Sequence, residues 1–328
     1  MNNPNKDHAT FLFAGHFAID HTIRFKLKHK PSLGGSVTYC SLALSTYTKD
    51  VNIGIISHIG TLNFDESLLD LIKCANIDLK GIKYSLVKNT NFILDYFDHA
   101  RNLTLKSRSP SLKFKDIPLD YLNNPPDSFV LVPLCNEISY DYVLQLLKKF
   151  PDSHIGIDLQ GFIRKIDDQG KVAYIYEESI IDNMKKIIDI IGDKLILKGS
   201  EEEMQLLAGE TKDYEKVMKY FNKYNNYGIY IMTLGDKGSM LFKKGEKILK
   251  IPAFKPKKVV DETGAGDVYL SIFLYEFIHS DKSWNSIKDA AYLASSSASF
   301  LIEKKGPAGF ETKIEVLKRV KKKKYIIY

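Results

Sequence analysis

Short apolar runs alternate with mixed apolar and polar stretches along most of the chain. Phe11 to Gly15, Val51 to Ile56, Phe129 to Val132, His154 to Asp158, Lys194 to Leu197 and Gly228 to Met232 read as strands. Between them, Gly35 to Tyr47, Glu66 to Ala75, Ser139 to Phe150, Ser200 to Ala208 and Tyr214 to Tyr224 read as helices. Nearly unbroken apolar strands separated by helices predict an α/β fold, its parallel sheet covered on both faces. Ligands then belong at the carboxyl ends of the strands. Two regions, His21 to Lys30 and Lys80 to Ser107, alternate with period two, and Asp98 to Arg101 reads as a hairpin turn. They predict a small β lid over the site, with an antiparallel edge of the main sheet as the competing reading. Ser239 to Phe242 and Lys247 to Ile251 suggest a further hairpin. Gly264 to His279, Ile287 to Glu303 and Lys313 to Val320 complete the helices.

No repeat or linker divides the 328 residues, so one domain is expected over 9–320. The lid falls at about 21–33 and 80–108, and 321–328 is read as a basic, solvated tail. The net charge of +7 suggests a polyanionic partner. Its location argues otherwise, because Lys318, Arg319 and Lys321 to Lys324 supply most of it and no nucleic-acid reader motif accompanies them. No apolar run is long enough to span a bilayer, and Met1 to Thr10 is not signal-like. Cys40, Cys74 and Cys135 are odd in number and widely spaced, which fits reduced thiols and a cytoplasmic setting. Neither a nucleic-acid nor a membrane partner is expected.

The chemistry concentrates in Asp261-Glu-Thr-Gly-Ala-Gly-Asp267 ahead of the apolar run Val268 to Ile278. Gly264, Ala265 and Gly266 place free backbone N–H groups at a helix start, which suits phosphate. Asp267 beside such an anion hole does not help to bind an anion, but it can take a proton while the hole holds a phosphoryl group. The alternatives are an ordinary turn and a first-turn acid. A helix start also lowers an acid's pKa, which opposes the role of base.

Neither a P-loop nor the protein-kinase motifs are present. Glu262-Thr-Gly-Ala-Gly-Asp267-Val instead resembles the carboxy-terminal signature of the ribokinase-like (PfkB) carbohydrate kinases. Gly34-Gly35 resembles the amino-terminal signature, and Gly15 with Asp20 resembles the first strand and its sugar-binding acid. Ser200-Glu-Glu-Glu203 is similar to the Asn-x-x-Glu motif, and Thr233-Leu-Gly235-x-x-Gly238 to the nucleotide loop. The matches run in family order over most of the chain. They imply a three-layer αβα sandwich, ATP as donor and Mg²⁺ as cofactor.

By the same resemblance Asp267 is the general base, with Gly264, Ala265 and Gly266 as anion hole. Asp20, Gly34 and Gly35 would bind substrate, and Ser200, Thr233, Gly235 and Gly238 the nucleotide. Glu203 would hold magnesium through water. Ser200 replaces the usual Asn, and Glu262 stands where many relatives have Thr. Turn, cap and tight-loop readings compete at each of these positions. The small residues Ala294 to Ala298 lie against adenine or serve helix packing. Asp158, Gln160 and Arg164 should gather beyond a buried strand and suit a hydroxyl-rich molecule. A surface salt bridge is the alternative for Arg164. With the segment Gly34 to Ser45, they resemble the archaeal myo-inositol kinase branch, while Val37 and Tyr39 depart from ribokinase proper. Phe92, Tyr96 and Phe97 would serve a nucleoside substrate or fill the lid core. The expected activity is ATP-dependent phosphorylation of a polyol, with a sugar or nucleoside kinase, or a non-catalytic sensor, as alternatives. The resemblance also implies a possible homodimer through the lid.

Overall fold

The computed structural model describes residues 8–24, 27–74, 76–97, 100–209 and 212–326. Nine strands form the central sheet, and seven of these run parallel. From one edge they are Ile77–Ser85, Val51–Gly60, Ala9–Ala14, Ser128–Leu131, His154–Asp158, Leu195–Ser200 and Ile229–Thr233. Ser239–Phe242 and Leu249–Ile251 continue the sheet antiparallel. Period-two alternation distributes each strand between two cores. Phe11 and Phe13 pack with the helices Ser36–Tyr47, Ala265–Ile278 and Trp284–Leu301. Leu12 and Ala14 pack with Tyr140–Lys149, Glu178–Ile191 and Glu201–Ala208. This is the three-layer αβα sandwich expected.

A second sheet forms the lid from Ala18–Arg24, Leu27–Lys28, Ser32–Gly34, Asn91–Phe97 and Ala100–Ser107. Phe92 and Leu94 pack there with Ala18, Leu134 and Cys135. The lid boundaries need correction, because Ile77–Ser85 is the edge strand of the central sheet, parallel to Val51–Gly60. Its alternation reflects a strand at the sheet edge rather than a lid. The expected hairpin pairs Asn91–Phe97 with Ala100–Ser107, while Asp98 and His99 at its tip lie outside the described residues. A fourteen-residue helix, Glu178–Ile191, was not anticipated from the sequence.

The carboxyl end of the chain also differs from a solvated tail. The last helix runs Lys313–Lys322, and the following residues fold back along Ala253–Lys255. Lys255 N donates to Lys324 O (3.0 Å), Ile326 N to Ala253 O (2.9 Å), and the Tyr325 and Phe254 rings meet at 5.0 Å. Residues 327–328 lie outside the described residues. Among the described residues no helix is long and apolar enough to cross a membrane.

Candidate active site

Strand order reverses direction at Ala9–Ala14, whose neighbours on either side lead away in sequence. At that switch point the carboxyl ends diverge, and a crevice opens between sheet and lid. The cavity measures about 740 Å³. The lid contributes Asp20, Phe92 and Tyr96, and the sheet and its loops contribute Asp158, Gln160, Arg164, Lys198, Glu203 and Thr233. The glycine turn lines it from Asp261 to Asp267.

On the lid side, Asp20 lies directly over Gly34. A Cβ on Gly34 would fall 1.8 Å from Asp20 Oδ2, so a side chain there would push the carboxylate aside. Gly35 takes φ +92°, and a Cβ there would meet the His16 carbonyl oxygen at 2.4 Å. The pair of glycines therefore keeps the Asp20 carboxylate in place and starts the helix Ser36–Tyr47 against His16. That helix carries Tyr39 into the centre of the site, against the glycine turn. Burial raises its phenol pKa, and Asp20, Asp261 and Asp267 push the same way. The hydroxyl thus stays protonated among carboxylates.

Asp158, Gln160 and Arg164 converge as expected, but they are bound mainly to their own neighbours. Lys198 Nζ donates to Asp158 Oδ2 at 2.7 Å, with both side chains buried. Gln160 Nε2 donates to Ser36 Oγ (2.7 Å), and Arg164 Nη2 donates to Gln160 Oε1 (2.9 Å). Arg164 also donates to the Leu134 carbonyl (2.9 Å) and to Tyr174 Oη (3.2 Å). Only 4% of Arg164 is exposed, so the surface salt bridge does not exist.

Asp267 enters from the first turn of Ala265–Ile278. Its Oδ1 is buried without a hydrogen-bond partner. Burial pushes the carboxyl up to about 7, and Asp158 adds to the rise; Lys198, Ser36 and Arg164 oppose it. The expected depression by the helix start is overruled, because desolvation in a crowded acidic pocket is the larger effect.

Gly264 adopts φ +85° just before the helix, and Tyr39 occupies the space a side chain would need, 2.1 Å from a Cβ there. Gly266 faces Lys198, whose Nζ would lie 2.6 Å from its Cβ. The ammonium group therefore sits between Asp158 and the glycine turn. Asp261 accepts from Thr263 Oγ1 (2.8 Å) and Gly306 N (3.1 Å), which braces the turn. Tyr96 Oη lies 3.1 Å from Thr263 Oγ1, a contact between lid and turn.

Ser200 caps Glu201–Ala208 in a reciprocal box with Glu203, so the missing Asn is replaced by a helix cap. Glu203 Oε2 accepts from Ser200 N (2.8 Å), and Oε1 accepts from Tyr174 Oη (2.8 Å). Both oxygens are engaged, which suits contact with a hydrated cation through water. Exposed Glu262 adds an oxygen donor on the rim. These residues fit magnesium. Thr233 lines the cavity, whereas Gly235 and Gly238 do not. Gly238, at φ +91°, instead lets the loop pass the Ile251 carbonyl oxygen, 2.0 Å from a Cβ position. Ser295 donates to Pro252 O (2.9 Å), and Ala294 is buried, so this small-residue segment serves packing. Phe92 and Tyr96 line the cavity, and the Phe97 side chain lies outside the described residues.

Sequence reasoning missed Lys198, and it used Tyr39 only as a departure from ribokinase without placing it in the site. Lys198 had a visible signal, a lone cation ending the apolar run Leu195 to Leu197. A second buried cluster carries no ligand chemistry. His16, Cys135 and Glu137 place potential ligand atoms within 4.8 Å. His16 is already engaged by Thr90 Oγ1 and Pro110 O, both at 2.9 Å, and Glu137 accepts N–H groups from His16, Leu134 and Cys135.

Residues 41–313 match the model of the pfkB family of carbohydrate kinases. A 5-dehydro-2-deoxygluconokinase from Clostridium botulinum is 25% identical over 302 residues, covering 87% of this chain and 82% of its own. A pyrophosphate-dependent kinase of the ribokinase family, solved with a pyrophosphate analogue and myo-inositol, superposes with a TM-score of 0.73 at 19% identity. It covers 94% of this chain and 99% of its own. A sugar kinase from Pyrococcus horikoshii in complex with ATP gives 0.73 at 20% identity, covering 95% and 99%. With a family match over most of its length and the family's fold throughout, the chain belongs to the pfkB carbohydrate kinases.

Proposed function

We propose that this chain transfers the terminal phosphoryl group of ATP to one hydroxyl of a small neutral polyol, with myo-inositol the first candidate. The observation that carries the reading is Asp267, a buried carboxyl pushed up to about 7 at a helix start without a side-chain cap, where Ala265 N donates to Glu262 O at 3.2 Å. A base with that affinity for protons is matched to neutral pH, and it need only orient the hydroxyl and accept its proton. Asp20 accepts hydrogen bonds from neighbouring hydroxyls, and protonated Tyr39 donates one. Gln160 and Arg164 hold the floor of the acceptor site. Gly264, Ala265 and Gly266 face the transferring group, with Lys198 moving between Asp158 and its developing charge. Magnesium, when bound, neutralises donor phosphates, with Glu203 and Glu262 as its water-mediated partners and Ser200 and Thr233 beside it. Closure of the lid excludes water from the donor. The lid also exposes Leu27 at its edge, which supports pairing of two copies there.

A pyrophosphate donor is the second reading, supported by the myo-inositol-bound neighbour. Consumption of ATP or pyrophosphate against myo-inositol, fructose, ribose, 5-dehydro-2-deoxygluconate and nucleosides tests both. Turnover that depends on myo-inositol is expected. Turnover with another acceptor reassigns the substrate, and tight binding without turnover of any acceptor makes the chain a sensor.

A further inference from the structure

Three lysine-bearing segments meet beside the stretch of chain that leads into the cavity lining. Lys255, Lys257 and Lys258 lie on the segment that runs into the glycine turn, and Val259, Val260 and Glu262 just beyond them line the cavity. Lys304 and Lys305 follow the helix Trp284–Leu301, and Lys321 to Lys324 straddle the end of the last helix, Lys313–Lys322. Every one of these lysines is exposed. Backbone contacts fix the arrangement. Lys255 N donates to Lys324 O (3.0 Å), Lys257 N to Glu303 Oε1 (2.8 Å), and Val260 N to Ile302 O (2.8 Å). Gly306 N, next to Lys305, reaches Asp261 Oδ2 at 3.1 Å. Glu303 is committed to Arg319 at 2.7 Å and Glu315 to Lys318 at 2.6 Å, so exposed Glu262 on the cavity rim offsets only part of the charge. Folding thus gathers positive charge that is dispersed along the sequence.

We propose that this ridge is an electrostatic collar that draws the phosphate chain of the donor to the cavity mouth. Its ligand chemistry is the polyphosphate anion, shared by nucleoside triphosphates, pyrophosphate and longer chains. The identification of that anion as donor rests on the kinase reading above. Exposed ammonium groups attract a multivalent anion over roughly one Debye length, about 8–10 Å near physiological salt, without fixing its geometry. Nucleic acid is the less favoured occupant. Sequence-neutral binding of single strands uses accessible aromatic platforms, whereas here Phe254 is buried and meets the Tyr292 and Tyr325 rings edge-on.

The test is titration of the full chain, without acceptor, using ATP, pyrophosphate and tripolyphosphate across ionic strength. Two independent variants are compared with the parent, K321Q/K322Q/K323Q/K324Q and K257Q/K258Q, each checked for an unchanged melting temperature. Each should weaken all three phosphates by about three- to tenfold at low salt, with the gap closing as salt screens the charge. Affinity for myo-inositol should not change. Equal affinity of parent and both variants overturns the collar, and so does a loss confined to ATP, since base recognition would then be at work. Preference for a single-stranded oligonucleotide over every phosphate, lost in the same variants, overturns it in favour of nucleic acid. Salt-dependent phosphate binding without phosphorylation of any acceptor keeps the collar and refutes the kinase reading.

Discussion

Asp267→Asn should make the protein inactive and more stable at once. The carboxyl sits at about 7 against an ordinary value of 3.8, chiefly because burial and Asp158 oppose its charge. A rise of about three pKa units corresponds to roughly 4 kcal/mol as a ceiling, at 1.36 kcal/mol per unit. Because the folded value lies above the unfolded one, the carboxyl's favourable contribution is complete below pH 4 and lost as pH climbs to about 7. Asparagine keeps the shape and removes the charge. Repacking and the loss of attraction to Lys198 reduce the gain, so about 1–3 kcal/mol is expected above pH 7, shrinking toward zero near pH 4. Urea unfolding at pH 4.5, 6 and 8 measures the gap, and phosphoryl transfer measures the cost, a fall in kcat of about 10²–10⁴. An Asn variant less stable than the parent at pH 8 would show that burial is not the dominant influence on Asp267, and the assignment of a raised base would go with it.

The parent's kcat/KM for acceptor should rise through an apparent pKa near 7, read from a pH profile between 5.5 and 8.5. Lys198→Gln leaves Asp158 buried without its counter-charge, so a loss of about 3–5 kcal/mol is expected in urea unfolding. The activity pKa should also move upward, because Lys198 holds Asp267 down. Gly34→Ala places a methyl against Asp20 Oδ2 and should raise the acceptor KM about tenfold or more while donor KM stays level. Tyr96→Phe removes the hydroxyl facing Thr263 and should increase donor hydrolysis without acceptor, measured as phosphate release, with the melting temperature unchanged.

The alternating strands and the glycine turn were legible because both are local patterns. Phe11 to Ala14 shows the two-faced strand in four residues, and Gly264 to Asp267 shows a turn that only a few backbone conformations satisfy. Partnership was harder to read. Ile77–Ser85 alternates like a lid strand, and its neighbour in the sheet, Val51–Gly60, follows from topology rather than composition. Lys198 and Asp158 lie forty residues apart, and only parallel pairing of their strands puts them together. The glycines at 235 and 238 had the spacing of a nucleotide loop, yet at Gly238 the demand comes from the neighbouring Ile251 carbonyl. The end of the chain read as a free tail because sequence does not show that Tyr325 docks beside Phe254.

The contact between Tyr39 and Gly264 has a consequence for how such an enzyme can diversify. Position 264 is closed to change twice over, by its φ of +85° and by the ring that fills the space beside it. Position 39 is under no such backbone demand, since it lies within a regular helix. A shorter side chain there would enlarge the cavity while leaving the glycine turn intact. Evolutionary drift in substrate range is therefore expected to run through residue 39, while the turn opposite stays fixed.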